Sequence, residues 1–163
     1  MAITGSAGAC ATHTTVETDM RRQDIQLLAL ARQGDVAARC EAGRRYLRGS
    51  DGFAQHIGTG LDYLTHPNLK GSAQAARIIA ENLGLEDILQ MQQEAALGQA
   101  AAAGSAGAQV KLAAWLCVRP GKLVEATRWL EAAAASGHAS AARALAALAW
   151  PCLLYTSPSP RDS

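Results

Sequence analysis

Hydrophobic positions recur every three or four residues along most of the chain, as in amphipathic helices. Ile57, Leu61 and Leu64 are one example, and no segment shows the strict alternation of a strand. Glycine, proline and short polar runs separate about eight predicted helices, although Gly58 and Gly60 weaken the third of them. The predicted helices are 19–33, 36–48, 54–65, 72–83, 86–102, 106–117, 122–135 and 139–150. The sequence therefore predicts an all-α fold.

A glycine-and-alanine motif repeats along the chain, at intervals of 37, 33 and 33 residues between its glycines. The repeat glycines are Gly34, Gly71, Gly104 and Gly137. Eight residues later stand Ala42, Ile79, Leu112 and Leu145; nine later stand Gly43, Ala80, Ala113 and Ala146; twelve later stand Tyr46, Leu83, Leu116 and Ala149. A fixed period in this range is typical of stacked helical units. Such units usually provide a binding surface rather than a catalytic pocket.

Short connections between the predicted helices favour antiparallel neighbours. With aromatic residues at only 4% and alanine abundant, the core must come from closely packed helices. We expect five of the larger side chains to be buried between the helix layers: Tyr46, Tyr63, Leu83, Leu116 and Trp129. Four small residues four positions after each repeat glycine, Ala38, Ala75, Ala108 and Ala141, are expected to leave room for an extended peptide.

The two ends differ from the region between them. Residues 1–18 are small and polar, which predicts a disordered N-terminal tail. Residues 152–163 resemble a translated adapter from a transposon-based sequencing library, and we treat them as an artefactual tail. The helical repeat domain is then 19–151, with about three to four units and a truncated C-terminal end, since the native gene is expected to continue past Trp150.

Composition excludes several classes of function. The formal charge of +1 and pI near 7.7 give no argument for nucleic acid. No apolar run reaches the ~18 residues of a membrane span, and the start does not resemble a secretory signal. Cys10, Cys40 and Cys117 do not pair within a repeat, which favours a reducing compartment. We expect a cytoplasmic protein without nucleic-acid or membrane partners, whose oligomeric state the sequence leaves open.

No motif indicates catalysis, a cofactor or a metal. The glycine-rich segments at 58–60 and 104–107 are not followed by the Lys-Ser/Thr of a phosphate loop. The histidines at 13, 56, 66 and 138 are scattered, without zinc-ligand spacing. We therefore expect no enzyme, no cofactor and no metal site.

The last repeat carries a family resemblance. Residues 125–145, from Glu125 through Trp129 and Gly137 to Leu145, are similar to the Sel-one-like repeat, a relative of the tetratricopeptide repeat. The first repeat resembles it too, with Tyr63 in the place of Trp129. The resemblance is weaker in the middle repeat, where Ala96 replaces the aromatic residue. The resemblance implies a right-handed α-solenoid of antiparallel helix pairs that acts as a protein- or peptide-binding scaffold. Two alternatives are a hydrolase of the family's cysteine-rich branch, whose paired cysteines are absent here, and a structural spacer in a longer protein.

Charge differs between the two helices of each pair. The first helices (36–48, 73–84, 106–117, 139–149) carry a net +5 and the second helices (54–65, 86–102, 122–135) a net −4. By resemblance the first helices line the concave face, so a basic groove could receive acidic or carboxylate-bearing peptides. The candidate peptide-binding residues are Arg44, Arg77, Lys111 and Arg143. The same distribution would also result from uneven solvation of the helix surfaces.

Overall fold

The computed structural model describes the backbone of residues 11–155 and the side chains of residues 21–148. Within this range all regular structure is helical and no strand occurs, so the predicted all-α class is confirmed. The chain divides into two compact units, Met1–Asn68 and Leu69–Ser163, with a 3-10 turn at Pro67–Leu69 where they meet. Each unit is described separately below.

The first unit contains three α-helices in its described part: α1 (Ala11–Gln33), α2 (Val36–Arg48) and α3 (Ile57–Leu64). The second of these packs against both others. Its bounds match the predicted 36–48, whereas α1 begins at Ala11 instead of near Asp19. Residues 1–10 of the predicted N-terminal tail lie outside the described residues. The core is small, with Ala31, Ala38 and Ala42 buried beneath three larger side chains, Leu27, Leu28 and Tyr63.

The contact between α2 and α3 is made through two glycines. A Cβ placed on Gly60 would lie 2.8 Å from Leu47 Cδ2, and one on Gly43 would lie 2.5 Å from Leu64 Cγ. Both leucines are buried, so neither can move aside easily. Gly60 therefore weakens α3 locally but permits the close approach of the two helices.

The predicted third helix begins later than expected, at Ile57 instead of residue 54. The His56 N–H donates to the Tyr46 carbonyl at 2.9 Å, and the Gln55 side chain donates to the Leu47 carbonyl at 3.1 Å. These bonds hold the preceding segment against the end of α2. The His56 side chain then caps α3 by accepting from the Thr59 N–H.

The second unit contains the remaining α-helices of the described residues. They are α4 (Ala73–Asn82), α5 (Leu85–Gln90), α6 (Glu94–Ala102), α7 (Ala106–Cys117), α8 (Leu123–Ala135) and α9 (Ala139–Tyr155). In this unit α7 contacts α4, α6 and α8, and α9 packs on α8. Leu83 and Leu116 are buried as predicted. Tyr46 and Tyr63 in the first unit and Trp129 in the second are only partly buried, so that part of the prediction was wrong.

The repeat glycines all have a backbone that favours glycine, with φ of 100°, 80°, 89° and 83° in chain order. Three of them end a helix in the same way. At Gly104, for example, its N–H donates to the Ala101 carbonyl and the Ser105 N–H donates to the Ala100 carbonyl, which is the Schellman pattern. Gly34 and Gly137 follow it as well. The recurring glycine thus marks a turn between helices, and Asp35 and Ser72 cap the helices that follow it.

The predicted helix at 86–102 is broken in two, which is a correction. Ile88 and Leu97 are both fully buried. In one continuous helix their separation of nine positions, at about 100° each, would place them on opposite faces. The break at Met91–Gln93 removes this restriction.

A left-handed glutamine makes this break. Gln92 has φ of 55°, its N–H donates to the Leu89 carbonyl, and the Gln93 N–H donates to the Ile88 carbonyl. These are the same two hydrogen bonds that the glycine turns form, but here the left-handed position is held by a residue with a Cβ. Gln92→Gly should therefore stabilise the second unit by about 1 kcal/mol. Urea denaturation followed by tryptophan fluorescence measures this, and an equal loss of stability would contradict the assigned turn.

The last helix extends beyond the predicted end at residue 150. Its backbone stays helical to Tyr155, which includes the start of the segment that resembles a translated adapter. Residues 156–163 of that segment lie outside the described residues.

Candidate functional site

The four predicted peptide-binding residues occupy different environments. Arg44 lies in the first unit, and the other three lie in the second. Arg77 and Arg143 are exposed, and Arg77 makes one ion pair, to Glu81 at 3.4 Å. Arg44 and Lys111 are partly buried and hydrogen-bonded within the protein. The structure therefore separates two exposed cations, one of them paired with Glu81, from two partly buried cations that donate hydrogen bonds within the protein.

Arg44 belongs to a charged network at the C-terminal half of α2. Its Nε and Nη2 donate to the two Glu41 oxygens at 2.9 and 2.7 Å, a bidentate pair. Arg45 Nε donates to the same carboxylate at 2.8 Å, and its Nη1 donates to Asp24 of α1 at 2.7 Å. Asp51 lies 3.7 Å from Arg45 Nε. This network joins α1, α2 and the following loop.

Glu41 is the carboxylate at the centre of the network. The hydrogen bonds from Arg44, opposed by partial burial and reinforced by Arg45, lower the pKa of Glu41 to about 2. A lowered pKa in the folded state stabilises the protein above the unfolded value near 4.5, and this contribution disappears as the pH falls towards 2. The network is thus expected to weaken in acid.

Glu41→Gln should destabilise the first unit at pH 7 by about 1 kcal/mol, a value that allows for solvent screening of the pair. The variant should also lose less stability than the wild type between pH 5 and pH 2.5. Urea midpoints from far-UV circular dichroism at both pH values measure this. Glu125→Gln, which breaks the exposed Lys122–Glu125 pair, is the control and should have little effect. Equal pH dependence in wild type and Glu41→Gln would contradict the role of this carboxylate.

Lys111 caps the end of α4. Its Nζ donates to the backbone carbonyls of Ala80 and Leu83, the latter at 2.7 Å. Burial lowers the pKa of Lys111, and the nearby Glu81 carboxylate opposes this effect. A cation at a helix C-terminus satisfies carbonyls that lack an intrahelical partner. These contacts give Lys111 a structural role.

The four small residues expected to leave room for a peptide do not line a groove. Ala38, Ala75, Ala108 and Ala141 are at most 5% exposed. They are buried in the helix contacts of their own units, and that expectation was wrong. Small side chains at these positions allow close helix packing.

A cleft of about 280 Å³ opens on the first unit. We call it the first-unit cleft, and its lining residues are Ala31, Arg32, Arg39, Asp62, Tyr63 and His66. They come from the end of α1, the start of α2 and the end of α3 with the residues after it. The Tyr63 ring stacks on Tyr46, with centroids 5.9 Å apart and planes 7° apart. The wall of the cleft is thereby fixed to the aromatic packing of this unit.

Arg39 is the unusual residue of this cleft. It is only 8% exposed, and its Nε is buried without a hydrogen-bond acceptor. No carboxylate of the described residues forms an ion pair with it, although Asp62 lines the same cleft. His66, which also lines the cleft, accepts at Nδ1 from the Asn68 N–H at 3.3 Å. The cleft thus contains one buried guanidinium that lacks a counter-ion.

Sequence reasoning counted Arg39 among the charges of α2 but did not select it. The sequence feature that could have identified Arg39 is its position within the repeat. Five residues after each repeat glycine stand Arg39, Ala76, Gln109 and Ala142, of which the first three are buried. Gln109 also has an unpartnered atom, Oε1, while its Nε2 donates to the Ala101 carbonyl. Arg39 is therefore an exception to the repeat, because it is a charged residue at a position that packs inward in the next two repeats.

Neither a membrane span nor a metal cluster occurs among the described residues. None of the helices in that part is long and apolar enough to cross a membrane. The described side chains contain no group of three or more His, Cys, Asp or Glu that could hold a metal. Comparisons with family models, with curated proteins and with solved structures gave no match.

Proposed function

We propose that the chain is a helical repeat scaffold that binds protein or peptide partners. Its proposed architecture is a right-handed α-solenoid of antiparallel helix pairs, as the resemblance to Sel-one-like repeats implies. Such units bury one face against their neighbours and offer another to a partner. The proposed role is binding without catalysis, in a bacterial cytoplasm.

The observation that carries this proposal is a burial pattern that repeats with the sequence. The positions four, eight and nine residues after the repeat glycine are buried in each of the first three sequence repeats. These positions are Ala38, Ala42 and Gly43; Ala75, Ile79 and Ala80; and Ala108, Leu112 and Ala113. In the last sequence repeat Ala141 is buried but Ala146 is exposed. The recurrence in three repeats supports the proposal, because a scaffold of stacked repeats requires the same positions to pack inward in each.

The proposed contact residues on the second unit are Arg77 and Arg143. Both stand six residues after a repeat glycine and both are exposed. Exposed guanidinium groups favour carboxylates because they can donate two parallel hydrogen bonds. Arg44 and Lys111 already donate to groups of the protein, so we assign them to its stability.

The test is an array of immobilised ten-residue peptides that contain from none to five acidic residues. Wild-type chain should be retained more strongly as acidity increases, and less strongly as salt is raised. The Arg77→Glu, Arg143→Glu double variant should lose this retention. A control with the same charge change on α8 and the loop before it, Lys122→Glu with Arg128→Glu, should keep it. If no peptide is retained, the proposed scaffold role is wrong. If the two double variants bind alike, the proposed binding surface is wrong.

A further inference from the structure

The buried guanidinium of Arg39 requires a physical explanation. A charge removed from water without a partner is costly, and proteins usually compensate it with a counter-ion. Arg39 is 8% exposed and its Nε has no acceptor. Asp62 is the carboxylate that lines the same cleft, and it forms no ion pair with Arg39. Since no carboxylate of the described residues pairs with Arg39, an anion from outside them would supply the missing partner.

The surroundings of Arg39 define what that anion can be. Ala31 and the Tyr63 ring supply apolar surface, and Arg32 adds a second, exposed positive charge. The Asp62 carboxylate would repel a dianion such as phosphate more strongly than a monoanion. A cleft of about 280 Å³ accommodates a single side chain or chain end rather than a large cofactor.

We propose that the first-unit cleft binds a carboxylate of a peptide partner, and that Arg39 donates hydrogen bonds to it. The inference rests on the proposed scaffold function and names the chemistry that the first unit recognises. The carboxylate belongs either to an acidic side chain or to the C-terminus of the partner. Tyr63 and Ala31 contact the apolar part next to it. Binding completes the ion pair that Arg39 lacks in the free protein.

The direct test observes the arginine Nε–Hε groups by ¹⁵N NMR while sodium acetate is added to the wild-type chain. The signal of Arg39 is identified by its absence from the Arg39→Gln spectrum, or by side-chain assignment of the wild type if that variant does not fold. It should shift saturably with acetate, less with sodium phosphate, and not with sodium chloride at the same ionic strength. An Arg39 signal that responds to acetate and chloride alike overturns the proposal.

The second test separates the two sources of the carboxylate. Three labelled probes are compared: an Ala-Ser-Ala-Leu peptide with a free C-terminus, its amidated form, and an amidated form with one added glutamate. Binding of the first alone indicates a C-terminal carboxylate, and binding of the third indicates an acidic side chain. Arg39→Gln should weaken the bound probe at least about tenfold. Arg22→Gln, the same charge change at an exposed position of α1, should change affinity less than twofold.

The outcomes distinguish this proposal from the scaffold role. If peptides from the array bind wild type and Arg39→Gln equally, the cleft proposal is wrong and the scaffold role remains. If acetate saturates the Arg39 signal but no peptide binds, the cleft recognises carboxylates and the peptide scaffold is wrong. If neither acetate nor any peptide acts on Arg39, the carboxylate site is rejected.

Discussion

Replacing Leu97 with alanine is expected to destabilise the second unit by about 2–5 kcal/mol. Leu97 is fully buried in α6, a helix that packs against α4 and α7. The lost side chain removes apolar contacts and leaves a cavity that rigid helix packing can fill only in part. Because alanine is the commonest buried hydrophobic residue of the second unit, few of its buried side chains are large enough to occupy the space.

The measurement is urea denaturation followed by tryptophan fluorescence. The three tryptophans, Trp115, Trp129 and Trp150, all belong to the second unit, so their emission reports on that unit. Leu123→Ala is the matched control, because Leu123 is 52% exposed, and it should change stability by no more than about 0.5 kcal/mol. Similar effects of the two substitutions would show that α6 does not contribute the core described here.

Gly60→Ala is expected to destabilise the first unit by about 1–3 kcal/mol. Alanine normally stabilises a helix relative to glycine by up to ~1 kcal/mol. Here the new Cβ would lie 2.8 Å from Leu47 Cδ2 and 3.1 Å from the Gly43 carbonyl oxygen. Leu47 is 1% exposed and cannot turn away without displacing other core atoms. The steric cost therefore exceeds the gain in helix propensity.

The matched control lies in the same helix. A Cβ on Gly58 would meet only the His56 ring, at 3.5 Å, which is an ordinary contact. Gly58→Ala should therefore be neutral or stabilise the protein by up to ~1 kcal/mol. Urea denaturation followed by far-UV circular dichroism compares the variants, with tryptophan fluorescence confirming that the second unit is unchanged. Stabilisation by Gly60→Ala would contradict the close approach of α2 and α3.

The sequence predicted the helices well where their ends have conventional signals. Two predicted ranges, 36–48 and 106–117, match α2 and α7 as observed, and each follows a repeat glycine. Ser105 before α7 forms no side-chain cap, whereas Asp35 caps α2 by accepting from the Ala38 N–H. Ser72 caps α4 in the same manner. These ends depend on local chemistry, namely a glycine with positive φ and, for α2 and α4, a side-chain oxygen that accepts from the helix backbone. Local chemistry of this kind can be read directly from residue types.

The break between α5 and α6 could not be predicted in this way. Its left-handed position is occupied by Gln92, a residue that gives no turn signal, and the break depends on burying both Ile88 and Leu97. Gly60 illustrates the same limit. The sequence showed a residue that weakens a helix, whereas its function depends on Leu47 and Gly43 of another helix. Tertiary packing decides both positions.

Charge counting on the sequence did not select the residue at the centre of the proposed carboxylate site. Charge counting selected Arg44 and Lys111, which the structure pairs with Glu41 and with backbone carbonyls. It did not select Arg39, because burial and the absence of a partner are properties of the folded chain. The sequence nevertheless marked Arg39 as unusual, since it occupies a repeat position that holds Ala76 and Gln109 in the next two repeats.

The central claim is that the chain consists of repeated packing units, and duplication of one unit tests it most directly. Residues 104–136 would be inserted a second time after Ser136, and a Gly/Ser segment of equal length at the same place would serve as control. A repeat chain should incorporate the extra unit, with unchanged ellipticity per residue and a larger urea m-value for the unfolding transition. If the duplicated chain instead loses ellipticity per residue as the Gly/Ser control does, or no longer unfolds cooperatively, the chain is not a repeat scaffold.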